Sequence, residues 1–220
     1  MDLSSLSYSS LFQGISPDEY SKLLHCLSAS TKFYHENETI FHAGISKPQI
    51  GILLKGKVQI TKNDYWGNQA IISVLEVGDL FAEAFVYSNQ NTIPVNVIAI
   101  GETEILFIHK NITHTCTKSC PFHILFIQNM LEALAQKTLL LTQRLEHNSQ
   151  KTLKDKLLSY FGYLAQKQNS STIILPLSRQ ELADYLACDR SALSRELSNL
   201  QKKKMIQYTK HTVTLMEEKR

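Results

Sequence analysis

The 220-residue sequence predicts an α+β chain in three parts: an antiparallel β domain, one long helix, and a small helical domain closed by a β-hairpin. Three changes of hydrophobic period carry that expectation. From Thr31 to about Ile108, β-rich runs (GILLKGKVQI, QAIISVLEVG, VNVIAI, EILFI) are broken by glycines at 44, 51, 56, 67, 78 and 101. Strands of ~5–6 residues at such spacing build barrels or sandwiches. After Pro121 the apolar residues recur every three or four positions, the period of a helix. Beyond Ser178 two short amphipathic stretches precede an alternating tail.

A first helix opens at Ser16, an N-cap followed by Pro17 at the first helical position and by Glu19, which completes a capping box. It continues through Tyr20, Leu23, Leu24 and Leu27. In the β region, KGKVQITKNDYWGNQAIISVL reads as a hairpin turning around Asn63 to Asn68. The long helix carries Ile124, Ile127, Leu131, Leu134, Thr138, Leu141, Leu145 and Asn148 in alternating steps of three and four, a heptad seam. One reading packs that seam on the chain's own β domain. The reading preferred here is a coiled-coil partner helix from a second copy, with Thr138 and Asn148 setting the register. The helix ends near Asn148 or Ser149 and is followed by a second, TLKDKLLSYFGYLAQK, a polar QNSS loop and a short strand in TIILPL.

Composition narrows the function. A chain 43% hydrophobic and 20% charged has enough apolar material for a core in each of one or two domains. There is no run of ~18 apolar residues to span a membrane, and MDLSSLSYSS lacks the basic start and apolar core of a signal peptide. A cytoplasmic protein is expected, its four irregularly spaced cysteines (Cys26, Cys116, Cys120, Cys188) present as thiols. The net charge of +3 hides an asymmetry. Residues 151–220 hold 13 Lys/Arg against 7 Asp/Glu, a net of +6, whereas the first 150 hold 10 against 13, a net of −3. A basic C-terminal third on an acidic body points to one domain that meets a polyanion.

The stretch from Ser178 to Ile206 specifies how. Ser178 and Glu181 form a second capping box, Leu182, Ala183 and Leu186 share one face, and Asp189 is an N-cap for a further helix striped by Ala192, Leu193, Leu197 and Leu200. Two helices joined by about three residues, with the small Ala183 at their crossing, make a helix-turn-helix. The tail IQYTKHTVTLM turns at Lys210 and His211 and reads as a wing. Such a turn normally wants a glycine at positive φ, and Ala187 stands near that place. The exposed side of the second helix is small except for two guanidinium groups. A helix entering a major groove ~12 Å wide must be slim there. Arg190 and Arg195 diverge by ~140° around the axis, and Ser191 and Ser194 lie beside them. Lys202, Lys203 and Lys204 follow as phosphate contacts, with Ser178 and Arg179 at the start of the first helix.

In this order of parts the chain resembles the Crp/Fnr superfamily of bacterial transcription regulators, relatives of the cyclic-AMP receptor protein and the fumarate–nitrate regulator. The resemblance runs from about Leu11 to Met216, and RQELADYLACDRSALSREL is similar to the family's helix-turn-helix residue by residue. It implies an N-terminal antiparallel β-roll, jelly-roll-like, that senses an effector (1–120), a dimerisation helix (121–149) and a winged helix-turn-helix that binds DNA (150–220). Arg190 and Arg195 match two DNA-contacting arginines of the family, but Ser191 stands where a glutamate is common, so the half-site sequence differs from the usual one.

GDLFAEAFVYSNQNTIPVNVIA resembles the family's phosphate-binding cassette. Gly78 and Asp79 match, and Glu83 falls at a ribose-binding glutamate, although a structural carboxylate capping nearby amides is the other reading. The cassette's arginine and serine fall on Ile93 and Pro94, which offer neither a charge nor, at Pro94, an N–H for a phosphate. Cyclic nucleotides are therefore not expected to bind. The pocket left is apolar, lined by Phe81, Glu83, Phe85, Val86, Ile93 and Pro94, with Lys137, Leu141 and Thr142 of the long helix closing it. It suits an unidentified small, apolar or weakly acidic effector with Lys137 as its cation; side chains filling it are the alternative. The family's iron–sulfur branch needs several N-terminal cysteines, and here there is only Cys26, with core burial as its plain reading. His109, His114, Cys116, Cys120 and His123 crowd one segment. Metal binding, a Cys116–Cys120 disulfide, or a plain helix start with Pro121 at its first position and His123 covering the barrel are the three readings of it. No metal or other cofactor is assigned.

The sequence shows no triad, carboxylate pair, Walker loop or dinucleotide fingerprint, so no enzyme is expected. The expected function is a homodimeric regulator on a palindromic operator in double-stranded DNA, with half-site centres ~34 Å apart. RNA polymerase is its expected partner. The alternative is a ligand-binding module acting on a protein partner.

Overall fold

The structure is a computed structural model that describes residues 4–46, 48–66, 69–88, 90, 92–109, 120–209 and 211–216. They fall into two compact units, Met1–Leu134 and Ala135–Arg220.

The first unit begins with two turns of 3-10 helix, Ser4–Tyr8 and Ser10–Phe12, and the helix α1, Pro17–Cys26. Glu19 folds back so that its carboxylate accepts from the Ser16 N–H and hydroxyl at 3.3 and 3.1 Å. Strands β1 (Ser30–Tyr34), β2 (Thr39–Phe41), β3 (Ile50–Asn63), β4 (Gln69–Leu75) and β5 (Leu80–Phe81) follow, then α2 (Glu83–Tyr87) and β6 (Asn96–Ile108). All pairings are antiparallel; the sheet runs β1-β6-β3-β4, with β2 added on β6 and β5 on β3.

The strands differ from expectation in length. β3 has 14 residues and β6 has 13, because glycines expected to break strands lie inside them. Gly56 and Gly101 take φ of +83° and +71°. The β3–β6 register shifts on both sides of Lys55, next to Gly56. Each strand therefore bends through a bulge and continues. Gly51 lies within β3 because a Cβ there would overlap the Phe81 ring.

Apolar runs in β3 and β6 follow from burial on both faces. Alternation sends Ile50, Ile52, Leu54, Leu106 and Ile108 toward the helices, where they pack with Leu11, Phe12, Leu23, Phe126 and Met130. Leu53, Val58, Ile105 and Phe107 point the other way, into a roll interior shared with Phe41, Phe81, Ile93 and Val97.

Helix α3 spans Pro121–Asn148. The boundary between the two units falls inside it, after Leu134. Its first half supplies Phe126, Met130 and the half-buried Phe122, Leu125 and Leu134 to the roll's helical core. The second unit adds α4 (Leu153–Gln168), β7 (Thr172–Ile174), α5 (Arg179–Tyr185), α6 (Arg190–Lys202), β8 (Ile206–Tyr208) and β9 (Thr212–Leu215). Its sheet runs β7-β9-β8, and the core joins Leu157, Phe161, Leu182, Leu193, Leu197, Leu200, Ile206 and Val213.

Candidate nucleic-acid interface

Helix α5 starts on the expected box: the Glu181 carboxylate accepts from the Ser178 N–H at 2.6 Å, and the Ser178 hydroxyl accepts from the Glu181 N–H at 3.3 Å. Four residues, Leu186 to Asp189, join α5 to α6. Ala187 adopts φ +49°, so the turn takes the left-handed conformation that its sequence resists. Amides compensate: the Ala187 and Cys188 N–H groups donate to Asp184 and Ala183 carbonyls at 3.3 and 3.0 Å. Ala183 is fully buried, which lets the two helices approach. Asp189 caps α6 by position, but its carboxylate makes no cap bond.

Helix α6 is split by its period. Leu193, Leu197 and Leu200 are fully buried, whereas Ser191, Ser194, Arg195 and Lys202 are exposed along the rest of the helix and Arg190 is exposed at its first position, followed by exposed Lys203 and Lys204. Among the described residues neither Arg190 nor Arg195 has a hydrogen-bond or ion-pair partner for its guanidinium. The hydroxyls of Ser194 and Ser198 donate to the carbonyls of Arg190 and Ser194, both at 3.0 Å, which keeps the face low. Two unpaired forks on a slim helix can bond base edges or phosphate oxygens. Arg179 is placed differently. It is half-buried, its guanidinium stacks on the Tyr208 ring at 5.2 Å, and Nη1 has no partner there. It ties α5 to the wing.

Ties that the sequence did not announce fasten α5 to the end of α3. Arg144 donates to the carbonyls of Asp184 and Tyr185 at 2.8 and 3.2 Å and lies over the Tyr185 ring. The Asn148 amide donates to Tyr185 and Arg144 carbonyls, at 2.8 and 3.0 Å, so this expected seam residue is bonded within its own unit. Lys156 reaches the Leu186 carbonyl at 3.2 Å. His147, 2% exposed, sits among Tyr160, Tyr163 and Tyr185, with Nδ1 2.9 Å from the Ser159 hydroxyl. Burial holds its titration below the ordinary range, with Glu146 opposing, and pushes Tyr160 up to about 12. A lone Arg, His and Asn on a helix carry no mark in sequence of such partners.

In the roll, the Gly78–Asp79 turn is held on β3: the Gly78 N–H donates to Leu53 and the Leu53 N–H to Asp79, at 2.9 and 3.0 Å. Gly78 has φ +95°. Glu83 is buried at the start of α2. Phe81 and Ile93 are buried in the roll interior with Phe85 half-buried beside them, Val86 belongs to the helical core, and Pro94 is exposed. Lys137, Leu141 and Thr142 are exposed on α3 in the second unit, the Thr142 hydroxyl bonded to the Thr138 carbonyl. Of the seam, Ile124, Leu131, Thr138, Leu141 and Leu145 are exposed, and Ile127 and Leu134 are half-buried. His109 lies beside Gln49. His114 and Cys116 lie outside the described residues. Among the described residues no group of three or more His, Cys, Asp or Glu side chains is arranged to hold a metal. No helix among them is long and apolar enough to cross a membrane.

Two family models match the chain: a cyclic nucleotide-binding domain over 31–118 and a Crp-like helix-turn-helix domain over 155–220. The global nitrogen regulator of Nostoc sp. is 23% identical over 188 residues, covering 83% of each chain. The anaerobic regulatory protein of Bacillus subtilis is 23% identical over 204 residues, covering 87% of this chain and 81% of its own. Among solved structures, the c-di-GMP responsive global regulator CLP of Xanthomonas campestris shares the fold with a TM-score of 0.52 at 17% identity, covering 90% of this chain and 100% of that one. These relatives are regulators, not enzymes. With the two domains in this order and an arginine-bearing α6 projecting from the second, the chain belongs to the Crp/Fnr-type family of DNA-binding transcription regulators.

Proposed function

We propose that the protein acts in the cytoplasm as a homodimer whose two α6 helices read a palindromic operator in double-stranded DNA. The observation that carries the reading is the exposed side of α6, where Arg190 and Arg195 stand unpaired beside Ser191 and Ser194. Lys202, Lys203 and Lys204 add sequence-independent contacts to phosphates, and Ser178 lies exposed at the start of α5. The exposed apolar seam of α3 supplies the dimer contact, and two-fold symmetry makes the operator palindromic. RNA polymerase is the partner through which bound dimers act on transcription.

The roll is the sensor, and its effector is not a cyclic nucleotide. Ile93 is buried and Pro94 has no N–H, so a cyclic phosphate would meet no cation and one donor fewer. Phe81, Val86 and Ile93 are packed into the two cores, so an effector taken up there displaces side chains. A regulator controlled by abundance alone is the second reading, favoured by that packing.

Selection of a binding site from random duplexes, followed by titration of Arg195→Ala and Lys203→Ala, tests the DNA reading. Arg195→Ala should lose about 1–3 kcal/mol, ~5- to 150-fold, and relax preference at one base pair. Lys203→Ala should weaken all sequences alike and lower the salt slope by about 1. An Arg195→Ala variant as tight and as selective as the parent would refute the docking.

A further inference from the structure

Cys26 closes α1, and its thiol meets a side chain 97 positions away: Sγ lies 3.2 Å from Nδ1 of His123, in the first turn of α3. We propose that Cys26 and His123 form a thiol–imidazole pair that makes Cys26 a peroxide-reactive, reversibly oxidised cysteine. The inference is independent of the DNA reading and concerns the roll unit alone.

Three features support it. The distance is that of a thiol–imidazole hydrogen bond, in which Nδ1 accepts the thiol proton when the ring carries its own proton on Nε2. His123 is 4% exposed, so packing around the ring keeps it from swinging away into water. Cys26 itself is half-buried rather than sealed in the core. The first turn of α3 adds the positive end of a 28-residue helix beside the sulfur. The C-terminus of α1 opposes it. That end is capped, since the Leu27 and Ala29 N–H groups donate to the Leu23 and Leu24 carbonyls at 2.9 Å, and the exposed His25 is its titratable neighbour.

The step balances without a cofactor. The thiol proton moves to His123 Nδ1. The Cys26 sulfur attacks one oxygen of a peroxide, the S–O bond forms and the O–O bond breaks. The leaving hydroxide takes the proton back from the imidazolium as water. Cys26 is oxidised by two electrons to a sulfenic acid, and the peroxide is reduced. The product puts an extra oxygen between α1 and α3, in a seam otherwise closed by Leu23, Phe126 and Met130.

Cys188 is an internal standard. It is also half-buried, but burial pushes its thiol up. The thiolate, not the thiol, is the nucleophile, so a partner that takes the thiol proton speeds alkylation at a pH below the ordinary thiol range. The full chain should be alkylated with limiting iodoacetamide at pH 6 and read by peptide mass spectrometry. Cys26 should react at least ~10-fold faster than Cys188, and the ratio should collapse toward one in concentrated urea. His123→Gln should slow Cys26 by a similar factor and leave Cys188 unchanged. After substoichiometric hydrogen peroxide, a dimedone adduct should sit on Cys26. Equal rates for the two cysteines in the folded chain, a His123→Gln variant as fast as the parent, or no adduct on Cys26 would overturn the proposal. Should His123→Gln not fold, the folded-against-urea ratio of the parent decides.

Discussion

Leu141→Ala is the cleanest probe of the dimer. In the single chain Ile124, Leu131, Leu141 and Leu145 are 57%, 63%, 60% and 71% exposed, a row of large apolar side chains along one edge of α3. Complete burial of such a side chain gains about 1.5–3 kcal/mol, so a residue some 60% exposed gains about 1–2 kcal/mol on meeting its partner. Truncation to alanine removes most of this in both copies, about 2–3 kcal/mol per dimer, which is ~30- to 150-fold in the dissociation constant. Leu134, also on the seam, would confuse the result because it is half-buried against the roll's own core, and its loss would report on folding. Leu140 makes the better control: it is 63% exposed, yet it lies off the heptad row. Sedimentation velocity across a dilution series reads all three proteins. The expected order is parent and Leu140→Ala together, with Leu141→Ala dissociating at far higher concentration. A parent that is monomeric at micromolar concentration, or equal effects from Leu140→Ala and Leu141→Ala, would refute the seam.

Acid should weaken the second unit through His147. Its folded titration lies below the ordinary value because of burial, so the unfolded chain takes up the proton first; the stability involved is fully present above pH ~6.5 and is lost as pH falls below it. Thermal unfolding of His147→Phe between pH 7.5 and 5 should show a flatter profile than the parent, and parallel profiles would reject the assignment. Calorimetry with cyclic AMP and cyclic GMP should give no heat of binding at micromolar ligand, and a dissociation constant near 1 μM for either would show that Ile93 and Pro94 do not exclude the phosphate.

Local signals carried most of the fold. Both capping boxes, the Pro121 start of α3, the stop at Asn148 and the wing turn were set by residues within one or two turns of the feature they specify. Glycine misled where its reason was tertiary. Gly51 is required by a ring from another strand, and Gly56 and Gly101 by bulges in long strands, yet all three looked like ends. Ala187 is the reverse case: an unfavourable residue for positive φ takes it because the chain on either side is fixed by buried Leu186 and by the hydrogen bond from the Cys188 N–H to the Ala183 carbonyl. The exposed face of α6 around Ser191, Ser194 and Arg195 was legible because helical period alone separates it from the leucines. The Cys26–His123 contact was not, since the two residues stand 97 positions apart.

The C-terminus of α5 shows how the parts of the second unit act together. A helix end leaves carbonyls without partners, and here Asp184, Tyr185 and Leu186 receive theirs from Arg144, Asn148 and Lys156. Two of those donors belong to α3, three to seven residues beyond Leu141, and the third to α4. Helix α5 is therefore fastened to the long helix by charge-assisted and amide hydrogen bonds inside one compact unit, rather than hung from a loose linker. In the proposed dimer, any rotation of α3 about the seam carries α5 with it, and α6 follows through their shared core at Ala183, Leu186 and Leu193. The spacing of the two α6 helices, which DNA reads as half-site separation, is then set at Leu141 and Leu145. Control of operator binding in the proposed dimer therefore lies in the apolar contact between copies, upstream of the residues proposed to touch DNA.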